Sequence, residues 1–260
     1  MVYTPPCDHR CRSIDEPHEL EGLRRAGAVV AATLRDVRAR VRPGVTTAEL
    51  DAAAERVFEA HGARSGPRLD YDFPGTICIS VDAEAVHGIP GPRALREGEL
   101  VKLDVTAELD GYYADACVTV PVGAVAPRQR RLIGAAEAGL RRGLAAATAG
   151  APLNAIGSAV EHAVLARGFS VCSELTGHGI GRRIHEPPTV ANVFDPAASE
   201  PLTPGLVITV EPIIAAGRGD VVAMPDGWTV RTADGSPVAH AEHTIVVTEA
   251  EPILLTTPTG

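Results

Sequence analysis

VKLDVTAELDGYYADACVTV, residues 101–120, reads as two β-strands around a two-residue turn. Val, Thr, Leu and Tyr fill both arms, the residue types that suit a pleated, half-buried surface. Asp110-Gly111 between them is a strong hairpin signal, because both residue types tolerate the positive φ of a tight turn. With Leu109 facing Tyr112, counting outward sets Asp104 opposite Cys117. Asp115 lies two residues from Cys117, so it projects on the same sheet face as Asp104, with Cα atoms roughly 7–8 Å apart. Asp is disfavoured inside strands. Two buried like charges are costly unless something positive sits between them. Either the ribbon is an exposed edge with both Asp on its wet face, or the pair grips a metal ion.

Around this hairpin the chain alternates helices and short strands. Apolar residues recur at helical spacing from about 16 to 41 (Leu20, Leu23, Gly27, Val30, Leu34, Val37, Val41), and Pro43-Gly44 stops that helix. Thr46 with Glu49 forms a capping box for a second helix, which runs to about His61 and ends at Gly62. A helix over about 128–147, a Gly150/Pro152 break and a helix ending at Gly168 repeat the pattern. In the register that sets Gly44 on Gly150, Glu55 falls on Glu161 and Gly62 on Gly168. Strands are expected at 77–81, 100–106, 112–120, 169–172, 206–210, 228–232 and 243–247. The fold class is therefore α/β (α+β).

Composition sets limits. The 260 residues are 45% hydrophobic, 22% charged and only 3% aromatic, so one soluble domain with an aliphatic core is expected. No apolar run reaches the roughly 18 residues of a membrane helix, and the N-terminus carries no signal-peptide pattern, which makes the cytoplasm the default setting. A net charge of −9 argues against nucleic acid as a partner. The five cysteines are odd in number and scattered, unlike a disulfide framework. Residues 1–15 read as a flexible arm in which Cys7, His9 and Cys11 lie close together without a second Cys/His pair at zinc-site spacing.

Four further places carry chemistry. GHGIGRRIHEP sets His178 and His185 among glycines, which let backbone approach closely. Glu211 ends the apolar run LVITVEP, and Glu242 precedes another in AHAEHTIVV. His87 sits in the Gly/Pro loop AVHGIPG; taken alone it reads as a turn residue. Each singly has a bland alternative as a surface or strand-end group. Together, two Asp, one His and two Glu offer an oxygen-rich donor set suited to a pair of Mn, Fe, Co or Zn ions. Paired ions of this kind serve hydrolysis.

With AVHGIP, VKLDVTAELDGYYADA, GHGIGRRIHEPP, LVITVEP, PDGWTVRT and AEHTIVV in this order, the chain resembles the type I methionine aminopeptidases over roughly residues 16–256. The resemblance implies a pita-bread fold: two pseudo-two-fold-related halves, about 16–125 and 126–256, of antiparallel sheet flanked by helices around a dinuclear metal cleft. It implies removal of the initiator methionine ahead of a small second residue. It assigns Asp104 to one of two divalent cations, Asp115 and Glu242 as bridges, and His178 and Glu211 to the other cation. Glu211 would also move the proton of the attacking water. His185 would bond the scissile carbonyl, and His87 would lie near the scissile nitrogen. Trp228, Phe73, Tyr71 and Cys78 would wall the methionine pocket.

Departures from the family pattern are Ile184, Leu175, a loop at 70–76 one residue short, and ADA at 114–116. The implied partners are nascent-chain N-termini with transient ribosome contact, met by a monomer without nucleic acid or membrane. The rival expectations are an Xaa-Pro aminopeptidase or dipeptidase with the same ligands, or a non-catalytic binding protein on the same fold.

Overall fold

The computed structural model describes residues 14–257. The expected arm lies almost wholly outside that range, and Cys7, His9 and Cys11 with it. Helix α1 (Pro17–Arg40) starts where the Glu19 carboxylate accepts the amide protons of Asp15 and Glu16. It buries Leu23, Val30, Leu34 and Val37, the predicted stripe. Gly22 lets it lie directly on the ring of Tyr112, where a Cβ would stand 2.3 Å from a ring carbon. Helix α2 (Thr47–His61) opens on the Thr46/Glu49 capping box: the Glu49 amide donates to the Thr46 hydroxyl at 3.1 Å, and the Thr46 amide to the Glu49 carboxylate at 2.7 Å. Gly62 ends it in the left-handed region.

Strand β1 (Arg64–Ser65), the short helix α3 (Gly66–Tyr71), β2 (Cys78–Val81) and β3 (Glu84–Val86) lead into β4 (Leu100–Leu109) and β5 (Tyr112–Pro121). The β4–β5 register is the one counted from the sequence: Leu109 pairs with Tyr112 and Asp104 with Cys117. Asp110 and Gly111 both take positive φ, 52° and 85°. The exposed-edge alternative fails, because β1 and β2 pair along the other side of β4, with Cys78 opposite Asp104.

Helices α4 (Pro127–Ala146) and α5 (Asn154–Leu165) begin the second half. The turns of the first half recur: Gly44 and Gly150 have φ of 87° and 85°, Gly62 and Gly168 of 66° and 74°. Then come β6 (Ser170–Val171), β7 (Gly177–Gly179), β8 (Glu186–Val190), β9 (Val207–Val210), β10 (Ile213–Ala215), β11 (Val221–Ala223), β12 (Val230–Thr232), β13 (Val238–His240), β14 (His243–Val246) and β15 (Ile253–Leu254). The expected strands at 169–172 and 228–232 shrink to β6 and β12. β9 pairs with β14 (Val210 opposite His243) and β10 with β13 (Ile213 opposite His240), one continuous register that sets Glu211 opposite Glu242.

The two halves meet along β5 and β13–β14. The Glu242 amide donates to the Cys117 carbonyl at 2.9 Å. On either side a threonine hydroxyl spans the seam. Thr244 accepts from the Asp115 amide (2.8 Å) and donates to its carbonyl (2.7 Å). Thr119 does the same for His240, at 2.8 and 2.7 Å. The seam is thus two-fold symmetric in its bonding: Thr119 corresponds to Thr244, and Asp115 to His240. One aliphatic core packs α1 and α2 on β2, β4 and β5; a second packs α4 and α5 on β9 and β14. Among the described residues Cys78, Cys117 and Cys172 are free thiols, and no helix is long and apolar enough to cross a membrane.

Candidate metal centre

The seam brings acidic side chains from both halves together; among the described residues Asp104 is half-buried and lies in neither triad of possible ligands. Asp104 comes from β4 and Asp115 from β5; Glu211 follows β9, and Glu242 precedes β14. His178, on β7, completes the set. One ligand atom each from Asp115, His178 and Glu242 lie within 4.8 Å of one another, as do those of Glu211, His240 and Glu242. Asp115, Glu211 and Glu242 are at most 7% exposed.

Neighbouring hydroxyls orient these groups. Thr106 donates to Asp115 Oδ2 at 2.8 Å, while Asp115 Oδ1 is buried without any hydrogen-bond partner. Thr209 accepts from the His178 amide (3.0 Å) and donates to Glu211 Oε1 (2.7 Å). His178 Nδ1 lies 2.9 Å from the Gly179 carbonyl. A carbonyl can only accept, so Nδ1 carries the proton and Nε2 presents a lone pair. That lone pair faces Glu211 Oε1 at 3.5 Å. A cation shared between these two atoms would satisfy both.

The electrostatics agree. Burial, reinforced by the neighbouring carboxylates, holds the pKa values of Asp104 and Glu242 well above the usual range, and burial does the same for Glu211. The hydrogen bond that Thr106 donates works against burial at Asp115 and lowers its pKa. Burial still lifts Asp115 to about 6. Burial lowers His178 to about 3, aided by His185. Carboxylates that resist ionisation, an imidazole that resists protonation and an orphaned Asp115 oxygen all gain from a divalent cation. The residues therefore fit a metal.

The other expected site residues fall into two groups. The His185 ring lies 4.2 Å from that of His178, and its Nδ1 is 2.7 Å from the Tyr71 hydroxyl. Burial, then the His87 charge, lowers His185 to about 4. His87 has φ of 57° and an exposed side chain; packing of surrounding protein lowers its pKa. Phe73 and Trp228 form an edge-to-face pair at 5.2 Å. Cys78 is buried beside Asp104, with a thiol that burial pushes well up. Tyr71 is 44% exposed and engages His185.

Residues overlooked in the sequence are His240, Thr209 and Asp70. His240 is 1% exposed, and neither ring nitrogen has a partner. Its signal was the alternation Ala239-His240-Ala241-Glu242, which in a strand places His240 on the face of Glu242. Asp70 accepts from the Tyr113 hydroxyl (2.9 Å) and the Ile184 amide (3.1 Å), tying the His185 loop to the first half. Nothing in the local sequence of α3 announces that contact.

Comparison with known proteins agrees with this geometry. The chain is 42% identical over 245 residues to a protein named methionine aminopeptidase 2 from Bacillus subtilis (strain 168), covering 94% of this chain and 98% of that one. It superposes on the crystal structure of methionine aminopeptidase from Rickettsia prowazekii with a TM-score of 0.90 at 36% identity, covering 94% and 99% of the two chains. Prolidase from Pyrococcus furiosus shares the fold with a TM-score of 0.75 at 22% identity, over 96% of this chain and 66% of that one. Residues 21–249 match the model of metallopeptidase family M24, and with its pita-bread architecture the chain belongs to that family.

Proposed function

We propose that this chain is a dinuclear metallo-aminopeptidase that removes the initiator methionine from nascent proteins and peptides, with a small residue following. The observation that carries it is the buried convergence of Asp115, His178, Glu211 and Glu242, with His178 Nε2 3.5 Å from Glu211 Oε1. Full-length similarity to proteins named methionine aminopeptidase supports the substrate.

Asp104, Asp115, His178, Glu211 and Glu242 would hold two divalent cations of the Co, Mn, Fe or Zn group. Such ions supply Lewis acidity, polarising a carbonyl and bringing the pKa of a water towards neutrality. The chain's own residues do the rest. Glu211, its Oε1 already held by Thr209, accepts a proton from the attacking water and returns it to the departing amine. His185, neutral at pH 7, donates from Nε2 to the scissile carbonyl when the Tyr71 hydroxyl donates to Nδ1. His87 steadies the scissile nitrogen. Phe73 and Trp228 wall the methionine pocket, with Tyr71 and Cys78 beside them. The setting that fits is the cytoplasm, where a monomer meets nascent chains with transient ribosome contact.

The test is methionine release from Met-Gly-type and Met-Ala peptides, with Ala-Pro peptides as the competing substrate. A chelator should stop release, and added Co, Mn, Fe or Zn should restore it. Cleavage of Ala-Pro instead, or release unaffected by chelation, overturns the assignment.

A further inference from the structure

Among the described residues His240 is a buried group, 1% exposed, that the proposed mechanism leaves without a role. It closes β13, two residues before Glu242, and its ring is sealed from solvent with both nitrogens unpartnered. A buried imidazole left without any bond is costly, and native interiors seldom contain one. Its Nε2 lies 3.7 Å from Glu211 Oε2 and 3.7 Å from Glu242 Oε2. Both separations exceed hydrogen-bond length, which ends near ~3.2 Å for N–H···O. They are close to the spacing of donors on one ion: ligands each about 2.0–2.2 Å from a tetrahedral or octahedral cation sit about 3–3.6 Å apart.

Symmetry adds a second, independent observation. Across the seam Thr119 bonds His240 as Thr244 bonds Asp115, at matching distances. His240 therefore occupies in the second half the place that Asp115 holds in the first. Asp115, His178 and Glu242 form one cluster of possible ligands, and Glu211, His240 and Glu242 form the other. Each cluster contains one imidazole, and Glu242 belongs to both.

We propose that His240 ligates the metal centre through Nε2, on the ion that Glu211 and Glu242 approach, so that the centre holds two imidazoles rather than one. This rests on the dinuclear function proposed above and adds a residue to it. A second imidazole shifts preference towards Zn, Fe or Co and away from Mn, because nitrogen donors favour the former and all-oxygen sets the latter.

The test loads the whole chain with two equivalents of zinc and counts imidazoles by X-ray absorption. The expected result is an average of about one imidazole per zinc in the native chain and about half that in His240→Gln, two and one histidine ligands respectively being shared between two ions. Calorimetric titration of the metal-free protein should show zinc affinity falling about 10–100-fold in His240→Gln, with manganese affected less. The native spectrum does not depend on the variant folding. About half an imidazole per zinc in a native chain that binds two ions and cleaves Met-Gly peptides overturns the role of His240 alone. A native chain that binds no zinc overturns the metallopeptidase function as well. Unchanged imidazole count and zinc affinity in His240→Gln reduce His240 to core filling.

Discussion

The Tyr71 hydroxyl lies 2.7 Å from His185 Nδ1, and the two rings tilt at 47° with centroids 5.4 Å apart. The tyrosine expected in a pocket wall thus also fixes the ring of a histidine. Tyr71→Phe keeps the ring and removes the bond. Its loss is about 0.5–1.5 kcal/mol, or roughly 2–10-fold in kcat/KM for Met-Ala peptides. Metal content should stay unchanged, because neither Tyr71 nor His185 belongs to the ligand clusters. Steady-state kinetics with metal analysis checks both halves of that statement.

The threonine hydroxyls at the seam invite a paired comparison. Thr244→Val and Thr119→Val each strand a backbone amide and a carbonyl across the halves, at a cost of about 1–3 kcal/mol in denaturant unfolding. Thr244→Val should also weaken metal binding, since it frees the backbone of Asp115. Equal metal affinity in wild type and Thr244→Val would show that the Asp115 backbone needs no such clamp.

Replacing a charged ligand should separate stability from activity. Asp104→Asn and Glu211→Gln should each lose activity by at least about 10²-fold, the scale of general-base loss for Glu211, while remaining folded. In metal-free protein Glu211→Gln should melt higher than wild type near neutral pH, because burial raises the Glu211 pKa and so favours the unfolded chain, where the carboxyl ionises freely, whereas Gln has nothing to ionise. Thermal melts with and without chelator, beside peptidase assays, test this. Full activity in either variant would end the proposed roles.

Glu19 offers a pH signature away from the centre. Its carboxylate receives the amides of Asp15 and Glu16 at 2.6 and 3.0 Å and Arg182 at 2.6 Å, which hold its pKa down to about 2 from 4.5. A depressed acid stabilises the fold above its unfolded pKa, and the gain drains away as pH falls from about 4.5 to about 2. Glu19→Gln should therefore cost about 1 kcal/mol at pH 7. The gap between wild type and variant should close towards pH 2 in urea titrations.

Much of the architecture was legible because the relevant signals are local. The Asp110-Gly111 turn determines the register of β4 on β5, and a turn plus a period of two says which residues share a face. The Thr46/Glu49 box and the breaks at Gly62 and Gly168 mark helix ends through backbone chemistry confined to a few residues. Strands of two or three residues such as β6, β7, β10 and β13 were not legible as such, since they hold their shape by pairing with distant partners.

The sequence by itself determined the helix pairs, the central hairpin, and a set of acidic and imidazole side chains whose kinds suit divalent metal. Only the tertiary structure decided how those side chains meet. The β5 to β13–β14 seam joins residues more than a hundred positions apart, through hydroxyl bridges that no local pattern encodes. It brought His240 into the cluster and tied Asp70 to the loop of His185, because proximity between the halves is set by packing of two separate cores and not by spacing along the chain.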